Sequence, residues 1–255
     1  MTPRDIALLQ HLARNEFLTG AEIKTVFWQN TVGKTHLQRL KLLVQHRYLA
    51  TITGDQGMRL GYCLGLAGKS YVEGLGMTET HVGDFARSYK TPFHHDMTLH
   101  KLRRIWEPSP LISAYRTERS LRKSLTQRQK LFGRKAMQLK VPDAAFQLQS
   151  PNGVIRVVVE LELSRKSNVR YSEICQRLLT SLDWEVIFYV VSAEAMANLI
   201  RSHLNQVIDH DPRLKWNLRR NRFYFVRLDD VLNLGLDAPF QGNDGSFTLN
   251  LMAQT

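Results

Sequence analysis

The sequence has only two cysteines in its 255 residues, Cys63 and Cys175, and they lie far apart along the chain. Two separated thiols cannot build the disulfide framework of a small secreted domain, nor can they supply a cysteine-rich zinc site. The scarcity of cysteine therefore excludes both classes, and it predicts a reduced, cytoplasmic setting for the protein.

Long hydrophobic runs are also missing from the chain. Apolar stretches such as VIFYVV at residues 186–191 have the length of a strand, far short of the roughly 20 residues that a membrane span needs. The first residues, MTPRDIALLQHLARNEF, carry an acid at position 5 and show helical periodicity, which differs from the pattern of a signal peptide. We therefore expect no insertion into a membrane.

Acidic side chains are scarce relative to basic ones. The 35 Lys and Arg residues outnumber 23 Asp and Glu, which gives a formal net charge of +12. Part of the excess is clustered, because residues 116–140 contain nine basic side chains and one acid, Glu118. A clustered positive charge favours a polyanionic partner, and nucleic acid is the leading candidate. The alternative is a solvated basic surface that binds nothing.

Residues 1–76 have the element order of a winged helix-turn-helix. Helical spacing predicts a first helix over 3–14, and Thr19 with Glu22 forms a capping box that begins a second helix. A third helix follows, and two β-like runs around a GDQG turn complete the domain. The residues predicted to face inward from the third helix are Leu37, Leu40 and Val44.

The outward face of the third helix is predicted to contact DNA. In a winged helix-turn-helix this helix enters the major groove, and the wing contacts the phosphate backbone. Further basic residues lie on the predicted wing and in the 116–140 cluster. The predicted DNA contacts are Lys34, Gln38, Arg39, Lys41, Arg59, Arg122, Lys123, Arg134 and Lys135. A solvated helix surface is the alternative for the face of the third helix.

The rest of the chain predicts a mixed α/β domain. Polar residues with glycine and proline mark a linker over 77–92. After a helix that contains Trp106, the predicted order is β-hairpin, helix, strand, helix and strand, which is typical of a mixed sheet flanked by helices. We expect this second domain to span residues 93–238, and residues 239–255 to form a loosely ordered tail.

Two carboxylates share one face of the predicted strand VVVELEL at 157–163. Strand side chains alternate, so Glu160 and Glu162 point the same way with Cα atoms about 6.6 Å apart. Asp143 begins the preceding strand, and the SPNG turn brings it beside them. Ionised carboxylates this close repel each other unless a proton or a cation lies between them. Because Mg²⁺ and Mn²⁺ prefer oxygen ligands, these three acids are the predicted metal ligands.

Lys166 follows the strand and adds a positive charge beside the acids. A metal site with a neighbouring lysine can orient a water molecule, neutralise a phosphate and stabilise a leaving oxygen. The alternative is an exposed strand face, on which Glu160 and Glu162 meet water and pair with basic side chains.

These residues resemble the PD-(D/E)xK restriction-endonuclease-like nucleases. The shared features are Pro142 and Asp143, the hairpin that follows, and the ExE that begins at Glu160. The lysine that usually lies two residues after the first glutamate is Glu162 in this chain. The resemblance implies a restriction-endonuclease-like mixed sheet flanked by helices, over roughly residues 94–230.

A set of motifs in the chain resembles the MOB-C class of plasmid relaxases more closely than it resembles the restriction nucleases. These motifs are HHD at 94–96, PDA at 142–144, ELELSRKS at 160–167 and RYSEI at 170–174, behind a winged helix. The resemblance implies nicking of DNA at a plasmid origin of transfer with Mg²⁺ or Mn²⁺, alongside accessory mobilisation and coupling proteins. A broader set of plasmid replication-relaxation proteins shares this layout, and some of them only bind DNA.

The resemblance also implies roles for single residues. The three acids named above would hold the metal, and Lys166 would contact the scissile phosphate. His94 and His95 would position the phosphate or a second metal, although a helix start with one histidine packed inside is an equal alternative. Tyr171 would either approach the phosphate as a nucleophile or pack under the strand. Glu118 would be an additional acid of the nuclease core.

Three functions follow from these features. The first is a site-specific DNA-nicking enzyme. The second is a DNA-binding replication or mobilisation accessory protein, or a transcriptional regulator, on a degenerate nuclease fold. The third is a restriction-type or repair nuclease, which would cut both strands or lack origin specificity.

Overall fold

The computed structural model of the chain describes residues 1–31, 33–54, 58–77, 93–122, 124, 141–180, 183–211 and 221–252. The chain divides into two units, Met1–His94 and His95–Thr255. Of the predicted linker over 77–92, only Met77 lies within the described residues. The linker therefore stays a prediction.

The first unit combines helices with a small antiparallel sheet. Its described elements before Phe93 are α1 (Pro3–Asn15), β1 (Phe17–Leu18), α2 (Gly20–Phe27), α3 (Thr35–Gln45), β2 (Leu49–Thr53), β3 (Arg59–Leu64) and α4 (Leu66–Gly74). Strand β3 lies between β1 and β2 and pairs antiparallel with both. Residues 55–57 of the predicted GDQG turn between β2 and β3 lie outside the described residues.

Helices α1 and α2 both begin with a capping box. The Thr2 hydroxyl accepts a hydrogen bond from the Asp5 N–H, and the Asp5 carboxylate accepts one from the Thr2 N–H. Thr19 and Glu22 make the same pair of bonds at the start of α2. Each box satisfies backbone donors that have no partner within the helix. The predicted box at Thr19 is confirmed, and the box at Thr2 is an additional one.

Helix α3 buries a face that only partly matches the prediction. Its buried residues are His36, Leu40 and Leu43, and Val44 is partly buried. Leu37, which we predicted inside, is 42% exposed. Apolar residues cover a wide arc of this short helix, so periodicity alone cannot select the buried face. Packing against the rest of the unit selects it.

Gly68 in α4 allows a close approach to the chain before β2. A Cβ at this position would lie 2.1 Å from the Tyr48 carbonyl oxygen. We expect Gly68→Ala to destabilise the first unit by about 1–3 kcal/mol, because the backbone has to shift. Gly74 in the same helix has open space around it, so Gly74→Ala should be neutral or slightly stabilising. Urea unfolding followed by circular dichroism measures both, and equal stabilities would contradict this account.

The second part of the chain alternates strands and helices. From Phe93 onward the described elements are α5 (Phe93–Trp106), β4 (Ile112–Thr117), β5 (Ala144–Ser150), β6 (Gly153–Glu162), α6 (Asn168–Thr180), β7 (Val186–Val191), α7 (Glu194–His210), β8 (Phe223–Arg227), α8 (Leu228–Leu234), a 3₁₀ turn (Gly235–Asp237), β9 (Phe240–Gly242), β10 (Gly245–Phe247) and α9 (Leu249–Met252).

Seven strands in the described residues form one mixed sheet, in the order β10-β9-β8-β7-β6-β5-β4. Strands β6, β7 and β8 are parallel neighbours, and the other pairs are antiparallel. Helices α6 and α7 pack on one face through residues such as Cys175 and Leu204. Helices α5 and α8 pack on the other through Trp106 and Val231. The predicted mixed α/β class is confirmed.

Two parts of this sheet differ from the prediction. Strand β4 is an additional edge strand, with an irregular register between Ser113 and Arg116. The tail predicted over 239–255 is wrong for the described part, because β9 and β10 extend the sheet and Phe240 and Leu249 are fully buried. Strands of three residues are too short to show an alternating pattern in the sequence.

The longest described helix is α7, with 17 residues. Its buried residues, including Ala197, Ile200 and Leu204, face the core under the sheet. None of the helices in the described ranges has both the length and the apolar character that crossing a membrane requires.

Candidate active site

Asp143, Glu160 and Glu162 share one face of the sheet. The register of β5 and β6 pairs Ala144 with Val159. Continuing this antiparallel register by one pair sets Asp143 opposite Glu160. Side chains alternate along a strand, so all three acids lie on the face that α6 and α7 cover. The convergence predicted from the hairpin is therefore present in the backbone arrangement.

Both glutamates are buried, with Glu160 5% exposed and Glu162 4% exposed. The exposure to water in the alternative expectation is therefore wrong, whereas its pairing with a basic side chain is present at Glu162. Burial of an ionised carboxylate costs several kcal/mol unless cations or hydrogen-bond donors compensate it. The cations and hydrogen-bond donors around the two carboxylates consequently determine whether this face of the sheet can bind a metal ion.

Lys166 forms an ion pair with Glu162, between its Nζ atom and Oε2. The chain folds back after β6, which returns the side chain of Lys166 to the end of the strand. The Glu162 side chain is 5% exposed and that of Lys166 is 39% exposed, so a buried anion meets a half-exposed cation. Glu162 thus has a cation partner within the chain, which differs from its predicted role as a third metal ligand.

The Asp143 carboxylate is fixed at the end of β6. Its Oδ2 atom accepts a hydrogen bond of 2.7 Å from the Leu161 N–H. The Asp143 carbonyl accepts a bond of 2.8 Å from the Glu118 N–H, which ties the residue to the end of β4. The His95 Nε2 atom lies 3.2 Å from the Leu161 carbonyl oxygen. Leu161 acts here through its backbone, so no side-chain signal in the sequence could identify it.

His95 lies between two carboxylates. Its Nε2 atom is 3.4 Å from Asp143 Oδ2, and its Nδ1 atom is 3.5 Å from Asp96 Oδ1. Burial lowers the pKa of His95, but hydrogen bonds to Asp143 and Asp96 outweigh burial and raise the pKa to about 10. At neutral pH the imidazole is therefore a cation beside Asp143. His94 lies exposed in the first turn of α5.

Tyr171 is buried on α6, with 1% of its surface exposed. Its ring stacks on His203, with 5.5 Å between centroids and 26° between planes. Burial raises the pKa of Tyr171, so the phenol is protonated at neutral pH. A buried, protonated phenol is not placed to attack a DNA phosphate. The position matches the alternative, in which the residue packs under the strand.

The predicted DNA contacts in the first unit fall into two groups. Three of them are exposed on or next to α3: Lys34, Gln38 and Lys41. Two others contact residues of the same unit. The Arg39 guanidinium makes two hydrogen bonds to the Asp5 carboxylate, and Arg59 donates one of 2.9 Å to the Tyr62 hydroxyl. These two arginines therefore also have a structural role.

Glu118 and Arg122 form an ion pair after β4, with a hydrogen bond of 2.8 Å from Arg122 Nε to Glu118 Oε1. The Glu118 backbone lies beside Asp143, but its carboxylate contacts Arg122. The other predicted contacts of the 116–140 cluster lie outside the described residues: Lys123, Arg134 and Lys135.

The acids provide the oxygen ligands that Mg²⁺ and Mn²⁺ take. Within the ranges that the structure describes, no group of three or more His, Cys, Asp or Glu side chains is arranged to hold a metal ion. Mg²⁺ commonly binds one or two protein carboxylates and completes its shell with waters and substrate phosphate. Asp143 and Glu160 fit this smaller ligand set, since Glu162 is paired with Lys166.

No protein-family model, curated protein or solved structure matches the chain.

Proposed function

We propose that the protein is a metal-dependent endonuclease that nicks one strand of DNA at a plasmid origin of transfer, as the MOB-C relaxases that it resembles do. The observation that carries the proposal is the position of Asp143 opposite the buried Glu160 on one face of the sheet, with the Lys166 amine paired to the buried Glu162 on the same face. A divalent metal ion held between neighbouring carboxylates offsets their mutual repulsion and can bind a DNA phosphate at the same time.

Each proposed role follows from a contact in the second unit. Asp143 and Glu160 would hold Mg²⁺ or Mn²⁺, which when bound polarises a phosphoryl oxygen and lowers the pKa of a water. The half-exposed Lys166 amine would turn from Glu162 to the scissile phosphate. The His95 imidazolium would keep the Asp143 carboxylate aligned with the Leu161 amide.

We further propose that the first unit is a winged helix-turn-helix that brings the site to its DNA. The support is the order of three helices before the β2–β3 hairpin, together with exposed Lys34, Gln38 and Lys41 on or next to α3. The net charge of +12 favours the same partner. Accessory mobilisation and coupling proteins in the cytoplasm are proposed as further partners from the resemblance alone.

A nicking assay tests the proposal. The substrate is a supercoiled plasmid that carries the DNA flanking the protein's own gene. We expect relaxation in Mg²⁺ or Mn²⁺ and none in EDTA, with the nick at one position on one strand. Binding to this DNA without strand breakage at any protein concentration would contradict the proposal, and cleavage of both strands would favour a restriction-type or repair nuclease.

A second candidate is a non-catalytic DNA-binding protein on a degenerate nuclease fold. It is favoured by the ion pair that engages Lys166 and by Glu162 at the position where the related nucleases have lysine. This function predicts origin binding that EDTA does not change. Salt weakens binding for both candidates, because phosphate contacts release counterions. Metal dependence, not salt dependence, therefore distinguishes them.

A further inference from the structure

The Tyr171 hydroxyl is buried and has a partner on either side. It accepts a hydrogen bond of 3.2 Å from the Lys166 N–H, and it donates one of 3.1 Å to the Met196 sulfur. The ring is held by its stacking on His203. The position of the phenol oxygen is therefore determined by contacts with α7 as well as with the chain after β6.

Tyr171 also holds the next residue of the loop between β6 and α6, which spans residues 163–167. The Tyr171 N–H donates a hydrogen bond of 3.1 Å to the Ser167 carbonyl. The Ser167 hydroxyl accepts a bond of 3.3 Å from the Arg170 N–H at the start of α6. Two consecutive backbone groups of the loop, at Lys166 and Ser167, are thus bonded to one buried tyrosine.

We propose that Tyr171 is a positioning residue: its hydroxyl fixes the backbone of the 163–167 loop and thereby keeps the Lys166 amine in the site, beside Glu162 and within reach of a bound phosphate. A lysine side chain on an unrestrained loop loses much conformational entropy when it is held in one place. Fixing the Lys166 backbone reduces that loss. The anchoring depends only on the contacts described above, whereas its consequence for catalysis rests on the proposed function, in which Lys166 contacts the scissile phosphate.

The exchange rate of the Lys166 amide hydrogen in the full-length protein measures the anchoring directly. Tyr171→Phe removes the hydroxyl and keeps the ring. We expect the Lys166 amide to exchange about three to ten times faster in this variant, as the loss of one hydrogen bond predicts.

Tyr189→Phe is the matched control for this measurement. Tyr189 is a buried tyrosine on β7, in the same core cluster, and its hydroxyl has no hydrogen-bond partner among the described residues. Exchange at Lys166 is expected to stay at the wild-type rate in Tyr189→Phe. Unchanged exchange in Tyr171→Phe as well would overturn the anchoring.

The nicking assay gives a second readout. We expect Tyr171→Phe to lower kcat about 3- to 30-fold with little change in KM, because a poorly placed amine is costly mainly in the transition state. Tyr189→Phe should keep the wild-type kcat. A covalent adduct between Tyr171 and the cut DNA end would overturn the positioning role and make the residue a nucleophile.

The two readouts keep this inference separate from the proposed function. If the wild-type protein does not nick DNA, the proposed function fails, and the exchange rate at Lys166 still decides the anchoring. If Tyr171→Phe does not fold, the wild-type rate decides. A Lys166 amide bonded to the phenol exchanges well below the rate of an unstructured peptide, and exchange at the unstructured rate would overturn the anchoring.

Discussion

Replacing Asp143 by asparagine is expected to lower metal-dependent nicking about 100- to 1000-fold and to leave the fold intact. The asparagine carbonyl can still accept the hydrogen bond that Leu161 N–H donates to the carboxylate at 2.7 Å. The shape of the site therefore survives. What is lost is the negative charge of one of the two proposed metal ligands, and with it several kcal/mol of transition-state stabilisation.

Asp209→Asn is the matched control, because it makes the same chemical change in the last turn of α7, where Asp209 is exposed. Its nicking rate should equal that of the wild type. The measurement is the initial rate of plasmid relaxation in saturating Mn²⁺, with circular dichroism to verify folding. Equal nicking rates for the two variants would show that Asp143 is not a residue of the active site.

The second large effect concerns the first unit, where we expect Arg39→Met to reduce the free energy of unfolding by about 2–4 kcal/mol. The Arg39 Nε and Nη2 atoms lie 3.0 and 2.5 Å from the two oxygens of the Asp5 carboxylate. Asp5 is fully buried and also closes the capping box at Thr2. Removing the guanidinium leaves a buried carboxylate without its cation.

This loss has a defined dependence on pH. Burial raises the pKa of Asp5, but hydrogen bonds from Arg39 and Thr2 outweigh burial and lower the pKa to about 2 from its ordinary value of 3.8. A carboxyl whose pKa is depressed on folding contributes stability above its unfolded pKa, and this contribution is lost as the pH falls through the folded pKa. In Arg39→Met the pKa of Asp5 should rise. The difference in unfolding free energy between Arg39→Met and the wild type should therefore become smaller as the pH falls from about 4 to about 2.

Lys41→Met provides the comparison on the same helix. Lys41 is exposed, so its replacement should weaken DNA binding without a change in stability. Urea unfolding gives the stability of both variants, and hydrogen exchange of the α1 and α3 amides localises the effect to the first unit. Wild-type stability together with lost DNA binding in Arg39→Met would make Arg39 a DNA contact only, as the sequence alone predicts.

Much of the candidate site could be predicted because it depends on local patterns. The alternation of β6 puts Glu160 and Glu162 on one face, and a short turn between β5 and β6 leaves few possible registers. Asp143 therefore had to lie near Glu160, as the register confirms. Burial of that face could not be predicted, because it depends on where α6 and α7 pack.

The roles of basic and aromatic residues were less predictable. Arg39 carries the same charge as the exposed Lys41 and lies on the same helix. Arg39 nevertheless bonds to Asp5, which is 34 residues away in the chain. For Tyr171 the sequence left both a nucleophile and a packed side chain open, and only the structure shows its hydroxyl bonded to Lys166 and Met196. Sequence spacing carries no information about partners that distant elements supply.

By itself, the sequence determined the mixed α/β class, the capping box at Thr19 and the shared face of the acids, since each depends on the period of one element or on one short turn. Only the tertiary structure decided which face of α3 is buried, that β9 and β10 complete the sheet, and that Lys166 pairs with Glu162. These outcomes depend on contacts between elements, because burial and the pairing of charges are settled by whichever surfaces and side chains meet on folding.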